Sequence, residues 1–569
     1  MTTDASPEHT PGDGATDGDT GERRRWRRVV AWVTTALACL LVLFALIAPN
    51  RLSDLTPGAF LRIPVEGLVG VALVLVLPER ARRVAAVLVG VALGLLTILK
   101  LLDMGFHEAF DRPFHPALDG NLLVDAVEVV RRSFGRVGAI VAVVVAVAVT
   151  VGALVLMTLS VLRLSRLVVR HRTAATRTVA VLGVAWVACA VLGVQIAGVP
   201  IADKSAAALA YDHVRQVSAD LRDPEVFAAQ LRADPFADTP SGALLTALHG
   251  KDVILTFVES YGRVAIEDRE MAPQVGAVLD AGNRRLQAAG FAARSAFLTS
   301  PVVGGGSWLP HSTLQSGLWV NNQRRYTDLV NSHHLTLSTA FQRAGWRTVG
   351  IAPANDRDWP EEATFYGYDR TYDARNLGYS GPHFALRSIP DQYTLATFQR
   401  AERATPNHAP VLAEIDLLSS HSPWTPVPRL IDWHRAGDGS AYDGMAADGG
   451  SPPVDRASVR AAYRQSIEYS LNALISYVET YGDDNLVVVF LGDHQPAPIV
   501  TGKGASRDVP ITIVARDRAV LDRISGWGWQ DGLKPSPQAP VWRMDAFRDR
   551  FLTAFGPQPP TPSPSPPGR

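Results

Sequence analysis

Between residues 29 and 199 the chain is mostly Val, Ala and Leu, and this feature limits the fold more than any other. Five stretches in it have the length of a bilayer span, at about 29–48, 60–77, 84–102, 138–160 and 178–199. About 20 apolar residues in helical form cross a hydrocarbon layer of about 30 Å. The first stretch is too long, and starts too far from the N-terminus, for an ordinary signal peptide, and no small-residue cleavage site follows it. It therefore reads as a retained helix, and the N-terminal part is expected to be a five-helix transmembrane bundle.

Arginines orient that bundle. "RRRWRR" precedes the first stretch, "ERARR" separates the second from the third, and "LRLSRLVVRHRTAATR" separates the fourth from the fifth. Basic loops stay cytoplasmic, so these three segments share the cytoplasmic face. Five crossings then place everything after residue 200 outside the cell. The mixed-charge segment 103–137 is expected outside as well, with "NLLVDAVEVV" lying on the membrane surface. Arg62, Glu66, Lys100 and Asp103 fall toward the outer half. They read as interfacial ion pairs, or as contacts to a lipid headgroup or the external domain.

Composition narrows the rest. Lys plus Arg equals Asp plus Glu at 55 each, so bulk electrostatics give no reason to expect a nucleic-acid partner. The two cysteines, Cys39 and Cys189, lie inside apolar runs, which excludes a disulfide framework and a thiolate metal site. Residues 1–28 read as a disordered cytoplasmic N-terminus, 29–199 as the transmembrane domain and 200–250 as linker helices. Residues 251–556 read as an extracytoplasmic catalytic domain, followed by a Pro-rich disordered tail at 557–569.

Within 251–556, short β-branched runs alternate with helical patterns. "KDVILTFVES", "FAARSAFLT", "RTVGIAP", "PVLAEIDLLSSH", "NLVVVFLGDH" and "VPITIVA" read as strands, whereas "LTLSTAFQRAGW" and "RAAYRQSIEYSLNALISYVETYG" read as helices. The alternation implies an α/β domain with a mostly parallel sheet covered by helices on both faces. Sites in such sheets form at the carboxyl ends of strands. Glu259, His421, Asp493 and His494 each follow a strand directly and should meet along one sheet edge. Two carboxylates and an imidazole suit Mn, Mg or Zn.

"VVGGGSWLPHSTLQSGLW" places Ser307 where a glycine-rich loop enters a helix. Glycines let a backbone approach a ligand closely, and a helix N-terminus favours phosphate. A serine there is also an ordinary N-cap. Joined to Glu259, Asp493 and His494 its oxygen becomes the fourth ligand of a metal site and a nucleophile activated by the ion. Ser312 and Thr313 are weaker nucleophile candidates that lack the glycine approach.

The order "VILTFVESYG", "GGGSW", "SSHSPW", "FLGDHQP" resembles the sulfatase-like branch of the alkaline phosphatase superfamily. It is most similar in plan to membrane enzymes of the lipoteichoic acid synthase and lipid A phosphoethanolamine transferase type, with five N-terminal helices and an external catalytic domain. The resemblance implies Glu259, Asp493 and His494 as metal ligands, and Ser307 as nucleophile, a position usually threonine in those enzymes. It implies His421 as a substrate-contacting histidine and Arg357 of "ANDRDW" as a contact to a phosphoglycerol group. A true sulfatase is disfavoured: "SWLPH" has its proline one place late and no arginine for formylglycine formation, and a single Glu259 stands where sulfatases open with paired aspartates. "SRDVPI" offers only Asp508 near the last strand, so one protein-held divalent ion is expected, Mn ahead of Zn or Mg.

The expected activity is transfer of a phosphoryl-alcohol headgroup, phosphoglycerol or phosphoethanolamine in type, through a covalent Ser307 intermediate. A membrane phospholipid is the donor, and an envelope glycan, polymer or lipid is the acceptor. Trp308, His311 and Trp424 would shape the acceptor side, and His421 would assist the leaving alcohol. A phosphodiesterase or phosphatase shares the first half-reaction, with water as acceptor. A noncatalytic metal-binding envelope protein is disfavoured by the complete donor set, and a transporter by the lack of paired broken helices.

Overall fold

The computed structural model describes residues 17–196, 198–385, 388–447 and 453–557. Most of the expected disordered N-terminus and the tail from residue 558 lie outside the described residues. The chain divides into two compact units: Met1–Gly105, Pro113–His115 and Leu122–Val217 form one, and Phe106–Arg112, Pro116–Asn121 and Ser218–Arg569 the other.

The first unit is helical: α1 (Asp17–Ile47), α2 (Val65–Val76), α3 (Glu79–Phe110), α4 (Gly120–Arg170) and α5 (Arg172–Leu192), with α6 (Ser205–Arg232) following. Among the described residues four segments are long and apolar enough to cross a membrane: Arg25–Ile47, Glu79–Phe110, Phe134–Arg170 and Arg172–Leu192. Four of the five expected spans thus have spanning length, and the remaining one is a shorter apolar helix. The second stretch forms only the 12-residue α2, about 18 Å of helix against a layer of about 30 Å. Prolines explain this: Pro64 sits at its N-cap and Pro78 follows the C-cap Leu77, and neither has an N–H to continue a helix. Gly135, at φ 74° and ψ −179°, breaks α4 by its non-helical backbone, so "NLLVDAVEVV" is a separate helical segment ahead of the spanning one.

Arg62, Glu66, Lys100 and Asp103 each find partners, but do not hydrogen-bond to one another. Lys100 Nζ donates to the carbonyls of Ala45, Leu46 and Ala48 at 2.8, 3.3 and 2.7 Å, satisfying the last turn of α1. Asp103 accepts from Asn50 Nδ2 at 2.9 Å and from Phe114 N–H at 2.9 Å, and lies 3.1 Å from His213 Nε2. Arg62 pairs with Asp203 at 3.4 Å, and Glu66 accepts from Ala207 N–H in the first turn of α6 at 2.9 Å. Ile63–Pro64, ahead of α2, pairs in parallel with Ala202–Asp203, beyond α5.

The second unit is built on a nine-stranded sheet. Its strands are β1 (Asp252–Val258), β2 (Ala292–Thr299), β3 (Arg347–Ala352), β4 (Arg370–Asp373), β5 (Val411–Leu417), β6 (Leu486–Gly492), β7 (Asp508–Ala515), β8 (Gln530–Asp531) and β9 (Val541–Arg543). They lie in the order β8-β2-β7-β6-β1-β5-β3-β4, with β9 also on β2. From β6 to β4 all pairs are parallel. The sheet is nevertheless mixed, because β7 runs antiparallel between β6 and β2, and β8 runs antiparallel to β2.

Both faces are buried, which is why the strands read as unbroken apolar runs. Alternate residues of β1 face two cores: Ile254 and Val258 enter one, and Val253, Leu255 and Phe257 enter the other. Helices α7 (Ala272–Ala288) and α10 (Arg456–Tyr481) supply Leu279 and Leu471 to the first core. Helices α9 (Leu337–Arg343) and α11 (Phe547–Phe555) supply Phe341 and Phe551 to the second. Helix α8 (Trp308–Ser316), with Ser307 at its N-cap, lies between α7 and α9 in sequence.

Candidate active site

Register creates the site. Val258, the last residue of β1, is opposite both Gly492 of β6 and Leu417 of β5. Three parallel strands thus end level, and Glu259 and Asp493 leave neighbouring strands side by side. Ser260, in the left-handed region at φ 57°, turns the chain so that its N–H donates to Asp493 Oδ1 at 2.7 Å. The triple glycine has an equally direct cause. Gly304, Gly305 and Gly306 have φ of 75°, 154° and 82°, a run only glycine adopts readily. Gly304 N–H donates to the Gln495 carbonyl at 2.8 Å, and Ser300 Oγ donates to the Asp493 carbonyl at 2.7 Å. The loop carrying Ser307 is thereby tied to the segment carrying Asp493 and His494.

Ser307 occupies the N-cap position of α8, yet its hydroxyl makes no capping bond. It donates to Glu259 Oε2 at 3.1 Å and lies 3.4 Å from His494 Nε2. His494 Nε2 is 3.5 Å from Glu259 Oε1 and 3.3 Å from Asp493 Oδ2. All three partners of Ser307 are buried, at 5 % exposure for Glu259, 0 % for Asp493 and 1 % for His494.

A divalent cation fits these residues. His494 Nδ1 is 2.9 Å from the Gln495 carbonyl, so it carries the ring proton and turns the Nε2 lone pair toward the carboxylates. Asp493 Oδ2 is buried without a hydrogen-bond partner. Facing lone pairs, with an orphaned carboxylate oxygen among them, call for positive charge. The spacings of 3.3 and 3.5 Å match the edge of a tetrahedron whose centre-to-donor distance is about 2.1 Å, about 3.4 Å. The electrostatics agree. Burial pushes Glu259 up, but His421 and His494 outweigh it and hold the carboxyl near about 2. Burial and then the Glu259 charge push Asp493 up. Burial pulls His494 down, but Asp493 and Glu259 raise it overall.

A cavity of about 300 Å³ opens beside Ser307, floored by Glu414 and Asp416 and walled by Trp308, His311, Trp359 and Tyr368. Trp308 is anchored through Nε1 to Gln323 at 2.9 Å. His421 lies close enough to Glu259 to act on its charge, with Nδ1 2.6 Å from the Ser422 carbonyl.

Other expected residues sit elsewhere. Trp424 is 5 % exposed and packs edge-on against Tyr463 at 5.7 Å, so it belongs to the core and not to an acceptor wall. Arg357 is 60 % exposed, and it is Asn355 and Trp359 of the same loop that line the cavity. Ser312 and Thr313 are fully buried, with hydroxyls donating to the Leu309 and Val320 carbonyls. Asp508 pairs with Arg263 at 3.0 Å.

Glu414 and Asp416 were missed by reading only strand ends. The signal was present: two acids at i and i+2 of an apolar strand project to one face.

Residues 310–508 match the sulfatase family. The matched stretch is about a third of the chain. The family so matched is one of enzymes. Solved structures similar to the chain include the lipoteichoic acid synthase LtaP from Listeria monocytogenes, at 14% identity over 58% of this chain and 77% of that one, with a TM-score of 0.37. The C-terminal periplasmic domain of EcEptC from Escherichia coli is 12% identical over 54% and 82%, with a TM-score of 0.37. The Streptococcus pyogenes phosphoglycerol transferase GacH, in complex with sn-glycerol-1-phosphate, is 13% identical over 58% and 91%, with a TM-score of 0.34. Likeness at this level carries no argument about activity. No curated protein matches the chain.

Proposed function

We propose that the chain is a membrane-anchored, metal-dependent phosphotransferase. It moves a phosphoglycerol- or phosphoethanolamine-type headgroup from a phospholipid to an envelope glycan, polymer or lipid, through a covalent intermediate on Ser307. The observation that carries this reading is the hydroxyl of Ser307, uncapped and 3.1 Å from Glu259 at the mouth of a cavity.

Glu259, Ser307, Asp493 and His494 would hold one divalent ion, which when bound acidifies the serine hydroxyl and offsets phosphoryl charge. The Ser307 Oγ–phosphorus bond forms as the bond from phosphorus to the diacylglycerol oxygen breaks. In the first turn of α8 the Trp308 N–H is the one left for a phosphoryl oxygen, because Leu309 and His311 donate to the Gly306 and Ser307 carbonyls and Pro310 has no N–H. His421 gives a proton to the departing alcohol, then takes one from the acceptor hydroxyl, which displaces Ser307. The serine proton, released when the site is loaded, returns when the group leaves. Trp308 and Trp359 shield the cavity and orient the alcohol portion.

The catalytic unit is assigned to the extracytoplasmic side. The three arginine-rich segments support this. The pairing of Ile63–Pro64 with Ala202–Asp203 also supports it, since it puts the start of α2 and the exit of α5 at one level although α2 is short. A reporter fused after residue 203 that proves cytoplasmic would reverse the assignment.

The chemical test uses the full chain in detergent with headgroup-labelled phospholipid and Mn. Label is expected on Ser307 after denaturation, and Ser307→Ala should lower turnover roughly 10³-fold or more. Normal turnover in Ser307→Ala would remove the nucleophile from the scheme. Free headgroup as sole product, unchanged by added acceptor, would make the enzyme a hydrolase.

A further inference from the structure

A second cluster of donors lies on the floor of the same cavity. His311, one turn beyond Ser307 on α8, stacks flat on Phe257 of β1, with ring centroids 3.7 Å apart and planes at 14°. The stack holds its Nδ1 3.4 Å from Glu414 Oε1 and 3.5 Å from Asp416 Oδ1. These separations exceed the range of about 2.7–3.2 Å for good N–H···O bonds. They match the donor spacing at Glu259, Asp493 and His494, 3.3 and 3.5 Å, and the tetrahedral edge of about 3.4 Å expected around zinc. The three donor atoms lie within 4.8 Å of one another.

Glu414 is positioned from behind. Its Oε2 accepts from the Tyr368 hydroxyl at 2.9 Å and from the Gln315 amide, which leaves Oε1 turned toward His311. Outer partners of this kind orient metal-binding carboxylates. The Glu414 side chain is 6% exposed and Asp416 22%, so the cluster is reached from the cavity. Neither Lys nor Arg is among the residues lining that cavity.

We infer that His311, Glu414 and Asp416 form a second divalent-cation site, separate from the Glu259–Asp493–His494 centre and suited to zinc or manganese. One imidazole and two carboxylates leave a fourth position facing the cavity, as in open zinc sites. In the proposed transferase, on whose reading this role rests, that position is where an acceptor hydroxyl or water would enter. The expectation of a single ion then becomes two.

Metal-free full-length protein in detergent, titrated with Zn²⁺ or Mn²⁺ alone and assayed for bound ion by equilibrium dialysis, tests the site. Two ions per chain are expected. Asp416→Asn should bind one, and so should Asp493→Asn, each losing a different ion. Unchanged metal-free thermal unfolding of Asp416→Asn, a near-isosteric change, verifies its fold; Glu414→Gln is the second variant. One ion in the wild type, kept in Asp416→Asn and lost in Asp493→Asn, overturns the second site and leaves the first standing. One ion lost in Asp416→Asn but kept in Asp493→Asn supports the second site and overturns the first. Absence of bound ion overturns both. His311 bridging the two acids as a plain ion pair corresponds to the first of these one-ion results.

Discussion

Replacing Gly492 with alanine should pull apart the two strands that carry the proposed metal donors. Gly492 is the last residue of β6, opposite Val258 of β1. A Cβ built there would lie 1.9 Å from the Tyr261 carbonyl oxygen, 2.7 Å from its carbon and 3.2 Å from Val509 Cβ, where ordinary contact begins at 3.4 Å. The nearest obstacle is backbone, not the end of a flexible side chain. It belongs to a tight turn closed by Tyr261 N–H to the Val258 carbonyl at 3.1 Å. About 1.5 Å must therefore be found by moving β6 or residues 259–262. Ser260 of that turn holds Asp493 Oδ1 at 2.7 Å, so the displacement reaches Glu259 and Asp493 together. Metal sites tolerate distance errors of about 0.2 Å. Overpacking of this kind costs about 1–3 kcal/mol, and lost ligand orientation lowers metal affinity about 10–100-fold. Zn²⁺ titration and metal-free thermal unfolding of the full-length protein measure both effects. Gly526→Ala, whose Cβ would meet nothing within 4 Å, is the silent control. Wild-type affinity and wild-type unfolding temperature in Gly492→Ala would refute the claim that this close crossing sets the site.

Two further substitutions probe the scaffold. Arg403, 2% exposed, donates to Asp252 Oδ2 at the start of β1 at 2.8 Å; Arg403→Ala leaves a buried carboxylate short of its cation and should destabilise the second unit by about 3–5 kcal/mol in denaturant titration. Burial pushes Asp391 from 3.8 up to about 6. The folded chain therefore binds this proton more tightly than the unfolded one, so the contribution of Asp391 to stability is greatest below about pH 4 and is lost as pH rises through about 6, about 3 kcal/mol in all. Asp391→Asn retains an acceptor for the Ser419 N–H, now at 2.9 Å, and should flatten that slope. Identical pH profiles for the two proteins would count against the assignment.

The amino-acid order alone determined the division into an apolar helical part and an α/β part, and the place of the six longest strands, while the short edge strands β4, β8 and β9 left no such run. Hydropathy is a local quantity, and a strand buried on both faces writes itself as a run such as "VILTFV" or "LVVVFL". The loop glycines were legible for the same reason, since three in succession serve a backbone path other residues resist. Strand direction was not legible: "VPITIVA" has the same pattern whichever way it runs, and only its placement between β6 and β2 made it antiparallel. The shortness of α2 was written in Pro64 and Pro78, but a hydropathy average passes over two prolines. Trp424, beside His421 in sequence, faces the core because its own backbone turns at φ 61°. What tertiary structure decided was which lone pairs face each other. Ser307, Glu259, Asp493 and His494, and separately His311, Glu414 and Asp416, come from segments far apart along the chain. Donor spacing of about 3.4 Å is set by strand register and by where α8 packs, and neither has a local signature.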